Sequence, residues 1–363
     1  MILFLSDIHL GVKLPNQDFY TSLAVSFDMF KKEAVIHGED CEAIMICGDL
    51  FDHALNIDEM INAVGIIMYL SRNNCGCTDE QPHVPVHIIE GTFSHDRNQM
   101  KIFEQFLRVL PNINVWYYPT KTKVTLPSGK RVLMLPQEYG NVDYSNTFND
   151  TYDLIIGHGP MSSTSKSVVA SHGNEIMHSV ETLSKISKLC VFGHYHEYTD
   201  FGNGVYYTGS MLRFRYGEDT DKMIFMCDDK FNVITHKNPI AKEFKTIEIH
   251  DPEQLRDVLS NDIKTPHRFV IQSNDVEELK TYHAIMNTTK QNTNIKFKVV
   301  AIEESEDNTI MNDDTSESSH MEESSNTVVE PVDALIEYIS TKYDMDTSKQ
   351  IHDYVDKINR EIK

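Results

Sequence analysis

The chain has 363 residues, 40% apolar and 24% charged, enough for one large domain or two to three smaller ones with real cores. No apolar run approaches the roughly 20 residues that span a bilayer, and the opening MILFLSDIHLG meets Asp7 and His9 too soon for a leader. The expectation is a cytoplasmic protein without membrane association, while a net charge of −22 counts against nucleic acid unless a local basic face exists.

Short apolar strands alternate with helical patterns over the first 200 residues. Ile2 to Leu5, Ala43 to Cys47, Val84 to Ile89 and Ile113 to Tyr117 predict buried strands. Between them, Phe19, Leu23, Phe27, Phe30 and Ala34 recur at helical spacing, as do Ile57, Met60, Ile61, Val64 and Ile67, and then Phe103, Phe106, Leu107 and Leu110. That rhythm implies a layered α/β fold. A hairpin follows, Val124 to Leu126 and Val132 to Leu135 around Pro127-Ser128-Gly129, and then strands at Leu154 to Ile156, Cys190 to Phe192 and Val205 to Tyr207. Cys47, Cys190 and Cys227 sit in apolar stretches and read as buried thiols.

A second unit is expected from residue 241 to 302: strands at Phe244 to Ile249, Arg268 to Gln272 and Ile295 to Val300, with helices at Pro252 to Leu259 and Val276 to Met286. Residues 303–330 hold ten acidic residues and no Lys or Arg, too few apolar groups to fold, and read as an acidic flexible linker. From Ala301 onward the chain carries 17 acidic against 5 basic residues, leaving 38 against 28 for the first 300. In residues 331–363, Val332, Leu335, Ile336, Ile339 and Tyr343 form one helical stripe and Ile351, Tyr354, Val355 and Ile358 another.

Five segments place metal-binding side chains where predicted strands end: Asp7-Ile8-His9, Gly48-Asp49-Leu50-Phe51-Asp52, Gly91 to Asp96, Gly157-His158-Gly159 and Gly193-His194-Tyr195-His196. Strand alternation points Asp7 and His9 the same way, and glycine lets the backbone turn sharply at each of the other four. Any one segment alone is readily a turn with a solvated face; five in order, each behind an apolar strand, are a site. Carboxylates and imidazoles without thiolate suit manganese, iron or zinc, and two such ions roughly 3.5–4 Å apart can grip both oxygens of a phosphate displacement. No Gly-rich nucleotide loop of P-loop or Rossmann form is present.

This series resembles the calcineurin-like metallophosphoesterase superfamily over residues 1 to about 215. Within it, the Tyr207-Thr208-Gly209-Ser210 segment, the small following domain and the C-terminal helix pair look like the SbcD-type nuclease subunit of double-strand-break-repair and phage recombination complexes. The resemblance implies a β-sandwich flanked by helices over residues 1–240, a small α/β capping domain and a C-terminal helical docking element. It also implies roles: Asp7, His9 and His196 for a first ion, Asp49 as the bridge, His158 and His194 for a second, and His95 as the catalytic group, with Asp52 and Asp96 orienting the ligands. The family's Gly-Asn-His-Asp becomes Gly91-Thr92-Phe93-Ser94-His95-Asp96 here, so Ser94 or Thr92, a water, or more remotely Asn98 replaces the asparagine.

Arg97 and Lys101, on a predicted helix, and Arg213 and Arg215, alternating with Phe214, are candidate DNA contacts; a solvated helix face is the plainer reading of the first pair. The resemblance implies a manganese-dependent DNA exonuclease and endonuclease, dimeric, docked to an SMC-like coiled-coil ATPase through residues 331–363. Such a protein would work in a bacterium or, for a phage protein, in its host. Two other readings stand beside it: a phosphatase or cyclic-nucleotide phosphodiesterase of the same superfamily, and a non-catalytic DNA-tethering scaffold.

Overall fold

The computed structural model describes residues 1–300 apart from 15–17, 37–40, 72–83, 97–98, 109–113, 141, 143, 165–173, 262, 264, 273–275, 290–291 and 293. The expected linker and C-terminal helices, and Arg97 and Asn98, therefore lie outside the described residues. Two compact units are present, one within Met1–Phe244 and one that starts at Lys245. No described helix is long and apolar enough to cross a membrane.

The first unit opens with β1 (Ile2–Leu5), α1 (Phe19–Ile36), β2 (Ala43–Ile46), α2 (Ile57–Ser71) and β3 (Val86–Ile89). There follow α3 (Phe93–Asp96), α4 (Met100–Arg108), β4 (Val115–Tyr118), and the hairpin β5 (Thr122–Thr125) and β6 (Arg131–Leu135). Then come α5 (Ser145–Phe148), β7 (Tyr152–His158), β8 (Met161–Ser162), β9 (His178–Ser179), α6 (Val180–Ile186) and β10 (Ser187–Gly193). The unit ends with β11 (Thr199–Gly202), β12 (Val205–Tyr207), β13 (Met223–Cys227) and β14 (Val233–Lys237).

These strands form two six-stranded sheets, β14-β13-β1-β2-β3-β4 and β11-β12-β10-β7-β6-β5. β1 to β4 run parallel, and so do β6, β7, β10 and β12. β1, β2 and β3 are wholly buried, which is why they read as unbroken apolar runs rather than as alternation. The core lies between the sheets: Ile2, Phe4, Met45 and Ile89 of one meet Val132, Met134, Leu154, Ile156 and Val191 of the other. Helix α2 begins at a reciprocal cap, with Asn56 Oδ1 accepting from Glu59 N and Asn56 N donating to Glu59 Oε2, both at 3.0 Å. The β13–β14 hairpin, absent from the sequence-based expectation, pairs antiparallel beside β1 and completes the first sheet.

The second unit contains β15 (Lys245–Ile249), α7 (Pro252–Leu259), β16 (His267–Gln272), α8 (Val276–Thr288) and β17 (Ile295–Val300) in a three-stranded parallel sheet. Its own core gathers Ile249, Leu255, Phe269, Ile271 and Tyr282. Ala241 and Phe244, expected on this side of the boundary, are buried in the first unit, where Ala241 O accepts from Arg213 Nη1 and Phe244 packs on Tyr216.

Candidate metal centre

In a doubly wound sheet, ligands gather past the carboxyl ends of parallel strands, and here two such edges contribute to one site. Beyond β1 and β2 the chains stay paired: Asp7 N donates to Gly48 O, His9 N to Asp49 O, and Leu10 N to Leu50 O. That pairing holds Asp7, His9 and Asp49 with positive φ, as is His194 after β10. Non-glycine residues in that region are strained, and such strain collects at functional sites. Close packing fixes the neighbouring glycines: a Cβ at Gly91 would lie 2.1 Å from Asp49 N, and one at Gly193 would lie 1.8 Å from Ser6 Oγ.

Two sets of side chains converge, Asp7 with His9 and His196, and Asp7 with Asp49 and His158. In the first, His9 Nε2 stands 3.1 Å from His196 Nε2, which is 3.9 Å from Asp7 Oδ1. His196 Nδ1 donates to Glu218 Oε1 at 2.9 Å, since a carboxylate only accepts, which turns Nε2 toward His9 and the site. Nitrogens bound at right angles to one ion, at about 2.0–2.1 Å each, would stand about 3 Å apart. In the second set, His158 Nδ1 donates to Cys47 O at 2.6 Å, and its buried Nε2 has no hydrogen-bond partner, 3.4 Å from Asp49 Oδ1. An orphaned buried nitrogen facing a carboxylate fits a cation between them.

The electrostatics agree. Burial disfavours the His158 cation, yet the charges of Asp49 and Asp7 carry its pKa up to about 9. Burial likewise opposes ionisation of Asp49, but His158, His9 and His95 outweigh it and hold that carboxyl far below the usual range. Burial pushes His9 down to about 4, so it offers a neutral ring at pH 7. At Asp96, burial and then the charge of Asp49 raise the pKa to about 7.

A family model for calcineurin-like phosphoesterases matches residues 1–198, more than half of the chain and every strand-end segment but the last turn after β12. The chain belongs to the calcineurin-like phosphoesterases. Among solved structures, it is similar to the crystal structure of TT1561 from Thermus thermophilus at 12% identity and a TM-score of 0.38, over 65% of this chain and 98% of that one. No curated protein matches.

As a phosphoesterase of this family, the protein distributes the expected residues unevenly. His194 does not join either converging set; its Nε2 lies 4.0 Å from Glu175 Oε2, and its ring lies edge-on to His158 at 5.5 Å. His95 sits edge-on to His9 at 4.9 Å, and its Nδ1 donates to Asp52 O at 2.6 Å, leaving Nε2 for other work. Asp52 also places Oδ1 3.6 Å from His9 Nδ1. Asp96 is turned toward backbone instead of the His95 ring, accepting from Gly91 N at 2.9 Å and Phe51 N at 3.1 Å. It braces the loop rather than orienting the imidazole.

Of the two hydroxyls expected to replace asparagine, Thr92 is the one at the site: its N donates to Asp49 Oδ1 and its Oγ1 to Asp49 Oδ2 at 3.0 Å. Ser94 is exposed. Arg213 requires correction. It is only 5% exposed, and its guanidinium donates to Glu218 O, Thr220 O and Ala241 O, so it braces the fold instead of meeting DNA. Lys101 and Arg215 are exposed.

Sequence reasoning passed over Glu218, Lys222, Phe214 and Glu175. Glu218 is held at about 2, since its hydrogen bond to His196 and the charge of Lys222 outweigh burial. Lys222 Nζ reaches Glu218 Oε2 at 2.7 Å, His196 O at 2.8 Å and Ser210 Oγ at 2.9 Å. Phe214 lies edge-on to both His9 and His196. None of these follows a strand at a motif spacing; the one legible signal was the acidic and basic pair Glu218 and Lys222, four residues apart.

Proposed function

We propose that the protein is a manganese-dependent phosphodiesterase that cleaves DNA from its ends, with endonuclease activity on single strands, working as the nuclease subunit beside a coiled-coil ATPase. The observation that carries the finer reading is the turn after β12. Thr208-Gly209-Ser210, the segment that resembles the SbcD-type nucleases, is tied to the metal-site histidine, with Ser210 N donating to His196 O at 3.1 Å. Exposed Arg215 follows five residues on, where it can meet a phosphate.

The residues fit two divalent cations: Asp7, His9 and His196 would hold the first, and Asp49 and His158, with His194 nearby, the second. Such ions would supply Lewis-acid chemistry toward the phosphate and the attacking water. Asp49, 3.4 Å from His158 and under the charge of His9, would be the residue shared between them. Glu218 keeps the His196 proton on Nδ1 and so keeps Nε2 a donor of electrons. Phe214 packs edge-on against the first pair of rings. His95, fixed through Nδ1, presents Nε2 to protonate the leaving 3′ oxygen.

The test is full-length protein with manganese on end-labelled double-stranded DNA, single-stranded plasmid and a chromogenic phosphomonoester. Cleavage of both DNA forms supports the reading. Turnover of the monoester alone would make this a phosphatase, and metal uptake without turnover would make it a scaffold.

A further inference from the structure

The second set offers an ion Asp7, Asp49 and His158, with His194 farther out, and Asp7 is shared with the first set, so the second ion has fewer protein ligands of its own than a closed four-coordinate site takes. The loop after β3 adds one hydroxyl at the site, and that group is already engaged. The Thr92 hydroxyl has its one proton shared between Asp49 Oδ2 and Gln137 Oε1, at 3.0 and 3.2 Å, and Ser94 is exposed. Near His194 lies Glu175, whose side chain is only 6% exposed.

Glu175 is also held in place. It bridges antiparallel to Tyr139, flanked by Gly140 N donating to Asn174 O at 2.8 Å and Ile176 N to Glu138 O at 3.2 Å. Gln137 Nε2 donates to its Oε1 at 2.7 Å, and the same amide accepts from Thr92. One amide thus links the group at Asp49 to the group at His194, and the other carboxylate oxygen of Glu175 stands 4.0 Å from His194 Nε2. Two donors at that separation can share one ion from opposite sides, since each bond is about 2.0–2.2 Å.

The geometry points to Glu175 as a further ligand of the second ion, beside His194 and added to Asp7, Asp49 and His158, with Gln137 as its positioning residue. This rests on the two-ion reading above. The extra negative charge would also make the site more selective for a divalent cation, since carboxylate oxygen favours manganese over softer ions.

The experiment titrates metal-free full-length protein with manganese by calorimetry and follows the bound ion by electron paramagnetic resonance. Wild type should take up two ions. Glu175→Gln keeps the shape while removing the charge, and should weaken one ion by about 10–100-fold or more, change its resonance, and leave the other ion's affinity alone. Glu175→Asp, with a shorter carboxylate arm, should weaken the same ion less, and it decides the matter if the glutamine variant does not fold. Two ions bound with wild-type affinities in both variants would overturn the assignment while leaving the two-ion reading intact. A single ion in the wild-type protein would overturn both before any substitution is made.

Discussion

Asp49 takes two hydrogen bonds from Thr92 and lies against His158, so its replacement disturbs everything around it at once. Asp49→Ala should abolish manganese-dependent hydrolysis and remove bound metal, seen by elemental analysis, with the circular dichroism spectrum unchanged; near-wild-type turnover would rule out a bridging role. His95→Ala should keep both ions and lose about 10²–10⁴-fold in turnover, the range for a general acid or base, and loss of metal from that variant would make His95 a ligand. The raised pKa of His158 sets a pH dependence. Below about 9 the metal-free ring carries a proton that an ion must displace, so apparent affinity should rise with pH and level off near 9. His9, at about 4, contributes nothing to that slope above pH 5. A flat calorimetric affinity between pH 6 and 8, about two units of that window, would contradict it. The converging side chains Asp7, His9, Asp49, His158 and His196 could be picked out in the sequence because each lies at the end of an apolar strand. Arg213 misled because alternation with Phe214 says nothing of the three carbonyls that surround it.

At the scale of elements, the parallel strands were readable as apolar runs, whereas β13 was not distinguished: five apolar residues fit a strand or a helix equally well, and only its partner β1 decides. Glu175 was hidden for a related reason. It sits in a segment without periodicity and gains its place from Gln137 and Tyr139, about forty residues away in sequence, as the pairings show. The strand ends are also where the fold tolerates least. Gly193→Ala would set a methyl 1.8 Å from Ser6 Oγ and 2.4 Å from Cys47 O, which the backbone cannot easily yield. Thermal denaturation should register a loss of about 1–3 kcal/mol or more, the usual cost of overpacking, together with reduced metal content. An unchanged melting temperature would mean that the loop after β10 moves more freely than its packing implies.

For the whole molecule, the phosphoesterase unit and the unit from Lys245 each carry a separate core. The two apolar stripes of residues 331–363, which lie outside the described residues, have the spacing expected of short helices; such helices are marginal alone in water, and we propose that a hydrophobic groove on a partner buries them. Deleting Pro331 to Lys363 should therefore leave manganese-dependent nuclease activity and remove co-purification with the ATPase; a truncated chain that still binds it would end the docking proposal.

The ligands of each candidate ion come from both sheets, with Asp7, His9 and Asp49 following β1 and β2 and His158 and His196 following β7 and β10. A bound ion is thus a rivet through the mouth of the sandwich, and what it fastens is the end where strained loops meet. Stripping it should lower the melting temperature in proportion to the lost binding energy, about 2.7 kcal/mol at free metal a hundredfold above Kd. Proteolysis should then begin at the loops of this mouth, not at the opposite end of the sheets. Chelator-treated protein, digested briefly and mapped by mass spectrometry, would show this directly: in a cell short of divalent metal, such a protein loses lifetime along with activity.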